Sequence, residues 1–251
     1  MPVIKQPKTI FDFDALYPRV RERLCQAPEE DAAAQRNAIL PLLQQALAKG
    51  EQEIRSRFDA APLSTAAISE RTWLVDQLLK LIHQLGRECI APSLRHFAVM
   101  AVGGYGRKEL FFHSDVDVMF LLDDKQAKEG ERLAGFMLYL LWDLGFKVGQ
   151  SVRTIDEALR EARIDITTRT NVLEARFVVG EKNLGDRFLQ RFKEEIAQGT
   201  APEFVEAKLA EWEARHERCG DSRYVLEPNI KEGKGGHRDL QTLVWMVRYC
   251  Y

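Results

Sequence analysis

Residues 97–122 decide the fold: Phe97-Ala98-Val99-Met100-Ala101-Val102-Gly103-Gly104-Tyr105-Gly106-Arg107-Lys108-Glu109-Leu110-Phe111-Phe112-His113-Ser114-Asp115-Val116-Asp117-Val118-Met119-Phe120-Leu121-Leu122. An apolar run, Phe97 to Val102, reads as a buried strand that ends on a double glycine. A second apolar run, Val116 to Leu122, reads as another strand, interrupted only by Asp117. A glycine turn lets backbone N–H groups approach a phosphate closely, and a helix starting there adds its positive end. Asp115 and Asp117 are two residues apart. On a strand they point to one face and can share a divalent metal. Gly-Gly alone fits a plain hairpin turn, and Asp-x-Asp alone fits the solvated start of a strand. Joined between two buried strands, they point to a phosphate cradle beside a metal clamp, which is what nucleotidyl transfer requires.

The 251 residues suffice for one large domain, or a core with a helical appendage. Hydrophobic residues make up 45% and charged residues 29%, an ordinary soluble, globular balance. A formal net charge of −2 provides no overall basic field, which argues against nucleic acid as the main partner. Cys25, Cys89, Cys219 and Cys250 are scattered without a CxxC pair, and the histidines are equally dispersed, so no zinc site is expected. The amino terminus lacks the apolar core of a signal peptide, and no apolar stretch is long enough to span a bilayer. Reduced thiols in a cytoplasmic protein, with no membrane partner, are the expectation.

Outward from the central stretch the pattern is helical. Residues 1 to about 30 carry prolines and no sustained period, which fits an arm with a short helix. Ile39, Leu42, Leu43, Ala46 and Leu47 form one apolar face within a helix over 31–58. Trp73, Leu74, Leu78, Leu79 and Ile82 do the same within 66–85. The Arg107–Leu110 segment fits one or two helical turns. An apolar helix over 131–144 follows, closed by Gly145 as a cap, and residues 146–153 read as a third strand with Thr154 capping the next helix. Helices are expected over 156–162, 167–179, 182–198 and 202–218. A loop runs from Asp221 to His237, and a final apolar helix begins near Arg238. Its stop at Tyr251 suggests a truncated chain.

The order strand, glycine turn, Asp-x-Asp strand, helix, strand resembles the DNA polymerase β-like nucleotidyltransferases. The expected class is α+β: a small sheet of that type flanked by a mostly helical amino-terminal segment and a carboxy-terminal helical domain. The boundaries expected are 1–90 for the helical segment, 91–180 for the nucleotidyltransferase core, and 181–251 for the start of a helical, substrate-binding-like domain. Asp115 and Asp117 are the expected catalytic metal ligands. Gly103, Gly104 and Ser114 are expected to bind nucleotide. Arg107 and Lys108 sit where they could neutralise the β and γ oxygens, although a solvated helix face explains them equally well. Members of this superfamily usually supply a third carboxylate from the next strand, and 146–153 contains none. Asp165 is the nearest substitute, and a role as a helix-start carboxylate fits it too.

A second constellation runs Glu227-Pro228-Asn229-Ile230-Lys231-Glu232-Gly233-Lys234-Gly235-Gly236-His237-Arg238-Asp239-Leu240-Gln241. Lys231, Lys234, Gly235, Gly236, Arg238 and Asp239 before a helix could form another anion-binding turn. A flexible charged loop has the same composition. His237 could move a proton, or stand as an exposed bystander.

Together, residues 103–117 and 227–241 resemble the two signatures of the bacterial uridylyltransferase/uridylyl-removing family, as do Val148–Thr154 and Leu173-Glu174-Ala175-Arg176. Gln150 stands where that family would carry histidine, and His237 where it carries an apolar residue. The resemblance implies Mg²⁺-dependent transfer of UMP from UTP to a tyrosine of the nitrogen-regulatory PII protein, with release of pyrophosphate. It also implies that the HD hydrolase and ACT glutamine-sensing domains are missing here. Two alternatives stay open. One is a remnant that binds nucleotide or PII without turnover; the other is an adenylyltransferase acting on another protein.

Overall fold

The computed structural model describes residues 4–28, 31–62, 65–219, 227 and 229–251, with Asp124 described in its backbone only. The chain is 68% helical around a small mixed sheet, the α+β class expected. It divides into two compact units, residues 1–156 with 174–187, and residues 157–173 with 188–251. Among the described residues no helix is long and apolar enough to cross a membrane.

The first unit opens with α1 (Pro7–Ile10), α2 (Phe13–Gln26), α3 (Ala32–Ala60) and α4 (Ala66–Cys89). The arm expected before residue 30 is thus mostly a 14-residue helix, started by Asp12 accepting from the N–H of Ala15 at 3.2 Å. Asp31 caps α3 in the same way, accepting from Ala33 and Ala34 at 2.9 Å. Strand β1 (Phe97–Ala101) is followed by a single helical turn, α5 (Gly103–Gly106), and then by β2 (Val116–Leu122), α6 (Ala127–Asp143), β3 (Val148–Thr154) and β4 (Arg176–Gly180). The helical turn therefore lies on the glycines themselves and not on Arg107–Leu110.

The sheet order is β3-β2-β1-β4, with β1 antiparallel to both neighbours and β2 parallel to β3. Period-2 alternation places Phe97, Val99 and Ala101 of β1 and Val116, Val118 and Phe120 of β2 on one face, all fully buried or nearly so. Leu74, Leu78, Leu81 and Leu85 of α4 and Leu133, Met137, Leu140 and Leu141 of α6 belong to the same core. Each such side chain contributes about 1.5–3 kcal/mol by leaving water. The helices approach closely because Gly86 of α4 leaves room for Leu133, which would lie 2.3 Å from a Cβ there.

Strand β4 is a correction to the helix expected over 167–179, which ends instead at Leu173. Phe177, Val178 and Val179 are aromatic and β-branched, and the free edge of β1 offers them a hydrogen-bonding partner that local helix propensity cannot match. Thr154 ends β3 and stands immediately before the next helix, at the position where the sequence places a cap.

The second unit is helical: most of α7 (Ile155–Ile164), then α8 (Ile166–Leu173), the end of α9 (Lys182–Phe192), a π-helical turn at Lys193–Ala197, α10 (Ala201–Arg218) and α11 (His237–Cys250). Arg169, 4% exposed, donates to the carbonyls of Ala162 and Arg163 at 2.8 Å and to Glu203 at 3.0 Å, which satisfies the carboxy-terminal end of α7. Tyr249 of α11 stacks on Phe204 of α10 with centroids 3.9 Å apart. Residues 221–226 and 228 of the expected 221–237 loop lie outside the described residues.

Candidate active site

The β1 chain turns sharply at Gly103, whose φ of +56° lies in the left-handed region that favours glycine. The turn closes on itself: Gly106 N–H donates to Val102 at 2.9 Å, Arg107 to Gly103 at 3.1 Å, and Glu109 to Gly104 at 2.9 Å. Gly106 has no room for a side chain, because a Cβ would lie 2.2 Å from the carbonyl oxygen of Glu174. Lys108 leaves the turn at φ +65°, a conformation uncommon for a residue with a Cβ.

Asp117 sits against this turn. Its backbone carbonyl accepts from Val102 at 3.0 Å. Its carboxylate lies beside Gly103, where a Cβ would be 3.1 Å from Oδ2, and beside Gly149 of β3, where a Cβ would be 2.1 Å from Oδ1. Two glycines on two elements thus leave the space this carboxylate occupies. Burial, with the Asp115 charge adding to it, raises the Asp117 pKa above the ordinary carboxylate value. Asp115 is exposed, immediately before β2, and Ser114 is half-buried beside it. The loop carrying them is pinned from behind: the Arg71 guanidinium donates to the Phe111 carbonyl, and Arg71 and Arg55 lie over the Phe112 ring.

The pairing of Asp117 with Gly149 and Met119 with Ser151 puts Gly149, Ser151 and Arg153 on the face that carries Asp117. None is a carboxylate, and Gln150 belongs to the other face. Among the described residues no group of three or more His, Cys, Asp or Glu side chains is arranged to hold a metal. Asp165, in the second unit, caps α8: it accepts from Thr168 N–H and Oγ1 at 2.6 Å and from Thr167 N–H at 3.3 Å. The Thr168 hydroxyl, followed by these backbone bonds, holds its pKa down against the effect of burial.

Beneath the glycine turn lies an ionic frame that the sequence reading did not assign. Tyr105, fully buried between Gly104 and Gly106, donates to Asp76 Oδ1 of α4 at 2.6 Å. Arg176 of β4 donates to both Asp76 oxygens at 2.9 and 3.0 Å, and its guanidinium lies 5.3 Å from the Tyr105 ring centroid. Burial, and then the Asp76 charge, push the Tyr105 hydroxyl well above its usual pKa. Arg107 is held by Glu174 at 2.6 Å and Glu109 at 2.7 Å. Glu174 and Arg176 belong to the Leu173–Arg176 stretch. Its sequence signal was a charged pair flanking an alanine, without an indication of partners.

The second signature folds around Asn229 and Asp239. Asn229 Oδ1 accepts from Lys231 and Glu232 N–H at 3.0 and 2.9 Å, and His237 N–H closes onto Ile230 at 2.8 Å. Asp239 accepts from Gly235 N–H at 2.7 Å and Arg215 at 2.7 Å, and pairs with His216 at 3.1 Å. Burial opposes its ionisation, yet Arg215 and the other donors hold its pKa below the ordinary value. Gly236 is tight, since a Cβ would lie 2.7 Å from the carbonyls of Gly233 and Ile230. Arg238 lies over Trp245, its CZ 5.5 Å from the ring centroid, and Lys231, Lys234 and His237 are exposed.

Known families and proteins resemble this chain. Residues 51–151 match the nucleotidyltransferase DUF294 family model, and residues 203–251 match that of GlnD PII-uridylyltransferase. Three curated relatives share the name bifunctional uridylyltransferase/uridylyl-removing enzyme. The Rhodospirillum rubrum protein is 44% identical over 100% of this chain and 27% of its own length. That of Azospirillum brasilense is 45% identical over 86% and 24%, and that of Erythrobacter litoralis 47% over 89% and 25%. The chain is thus similar along its length to the bifunctional uridylyltransferase/uridylyl-removing enzymes, and spans about a quarter of the length of these relatives.

Proposed function

We propose that the chain is a nucleotidyltransferase that moves UMP from UTP to a tyrosine hydroxyl of a PII signal protein in the cytoplasm and releases pyrophosphate. One observation carries this reading: the Asp117 carboxylate is seated between the glycine turn and Gly149, with Asp115 two residues before it. The names of the relatives and of the family model over 203–251 support the donor and acceptor.

The donor set suits Mg²⁺, a hard cation commonly held by one or two carboxylates with substrate phosphates and water completing the shell. Asp115 and Asp117 would hold it, and it would supply positive charge beside the attacking and leaving oxygens. The protein's own part is positioning. The turn N–H groups at Gly103 and Gly104 face the phosphates, and Ser114 and Lys108 flank them. Arg107 reaches the phosphates by yielding one of its two carboxylate partners. The tyrosine oxygen forms a bond to the α-phosphorus as the bond to the pyrophosphate oxygen breaks, and the hydroxyl proton passes to solvent. In the second unit, Lys231, Lys234 and Arg238 offer an acidic ligand positive charge, and Gly235, Gly236 and Asp239 hold their loop in shape.

The test is intact-mass spectrometry of PII incubated with this chain, Mg²⁺ and UTP, with ATP and 2-oxoglutarate present and an ATP-only control. The expected result is a mass increase of one uridylyl group. UTP binding without any increase would reject turnover in favour of a binding role, and an adenylyl adduct in the control would assign ATP as donor.

The glycine at 149 supplies a second prediction. Gly149→Ala places a methyl group where Asp117 Oδ1 stands and displaces the carboxylate. Transfer should fall about 10²-fold, the usual consequence of a misplacement near 1 Å. Gly135→Ala in α6, where a Cβ meets nothing within 4 Å, is the control and should leave transfer unchanged. Equal rates for the two variants would remove Gly149 from the site.

A further inference from the structure

Far apart in sequence, Cys25 and Cys89 come together in the fold with their Sγ atoms 3.6 Å apart. We propose that they form a dithiol–disulfide redox site that takes a low-molecular-weight disulfide as its oxidant and, when oxidised, cross-links α2 to the carboxy-terminal end of α4.

The opposition of the two thiols is built, because three successive turns of α2 meet one end of α4. Tyr17, Arg21 and Cys25 fall at i, i+4 and i+8 and so share a face. The Tyr17 hydroxyl donates to Glu88 at 2.5 Å and Arg21 Nε to Glu88 at 2.8 Å. Cys25, the next in that row, therefore lies against Cys89, the neighbour of Glu88. A disulfide needs its sulfurs near 2.05 Å. The remaining approach falls on the last turns of the two helices, since α2 ends at Gln26 and α4 at Cys89, where backbone adjustment costs least.

Access divides the roles. Cys25 is exposed and Cys89 half-buried. Burial, with the hydrogen bond to Cys25, pushes the Cys89 thiol up to about 11, which assigns the first attack to Cys25. Its thiolate attacks one sulfur of the oxidant, the oxidant's S–S bond breaks, and one small thiolate leaves and takes up a proton. Cys89 then releases its proton to solvent and attacks the Cys25 sulfur, displacing the second small thiol. Two protein thiols are oxidised, and one disulfide is reduced to two thiols. The second step is intramolecular, so the held geometry gives it a high effective concentration over capture by a second oxidant molecule.

The test uses the whole chain carrying Cys219→Ser and Cys250→Ser, so that only this pair remains, incubated with excess oxidised glutathione. The expected product is lighter by two hydrogen atoms, carries no glutathione, yields a peptide joining Cys25 to Cys89, and returns to the starting mass with dithiothreitol. Adding Cys25→Ser or Cys89→Ser should convert that product into a chain without the internal link. Lasting glutathione adducts on the two-cysteine chain, persistence of both free thiols, or disulfide-linked dimers would each overturn the proposal.

Discussion

Asp115→Asn with Asp117→Asn should reduce uridylyl transfer to PII by about 10³-fold or more while leaving the fold intact. The two amides keep the shape of the carboxylates and remove both negative charges, so the loss falls on cation binding and not on packing. Stability should hold or rise. Burial and the neighbouring Asp115 charge raise the Asp117 pKa in the folded chain, so the ionised form is disfavoured there and a neutral amide relieves that cost. A site that lowers stability where it raises activity is expected of a functional carboxylate held in a strand that is otherwise buried. The measurement pairs the PII mass assay with thermal unfolding of the same variant. Full transfer by the double variant would sink the assignment of these aspartates, and loss of transfer with a collapsed melting curve would show that they serve the fold.

The elements that were legible before the structure are those whose signal is local. The strand over 116–122 follows from an apolar run, and the helices over α3, α4 and α6 follow from their 3.6-residue stripes. The glycine turn and the aspartates were joined before the structure only by their chemistry, and the antiparallel pairing of β1 with β2 is what brings Gly103 to Asp117. What was not legible depends on residues distant in sequence. Strand β4 exists because β1 has an edge to pair, which no window around residue 176 reveals. Gly149 matters only through its pairing with Asp117, so in the sequence it is one glycine among sixteen. The partners of Arg107 could not be read either. Its spacing from the glycines placed it near phosphates, whereas Glu174 lies 67 positions away and holds it. Cys25 and Cys89 looked scattered for the same reason.

The ionic frame beneath the turn carries the largest expected effect on stability. Asp76 is 7% exposed and accepts three hydrogen bonds, one from Tyr105 and two from Arg176. Asp76→Ala would leave the guanidinium of Arg176, whose Nε already lacks a hydrogen-bond partner, without its counter-charge, and would strand the fully buried Tyr105 hydroxyl. Removing one member of a buried pair costs about 3–5 kcal/mol, and the partial exposure of Arg176 points to the lower end. In a unit of this size that corresponds to a fall in Tm of about 10 °C. Asp76→Asn keeps one accepting oxygen but turns the other into an NH2 donor, so it loses the charge and at least one hydrogen bond, and its loss should stay below that of the alanine variant. Tyr105→Phe removes one neutral-donor hydrogen bond and should cost about 1–2 kcal/mol. The ordering Ala, then Asn, then Phe by urea unfolding is the signature of a charge-centred frame. An alanine variant as stable as the parent chain would mean that Arg176 finds water instead, and that the glycine turn keeps its shape from its own backbone bonds alone.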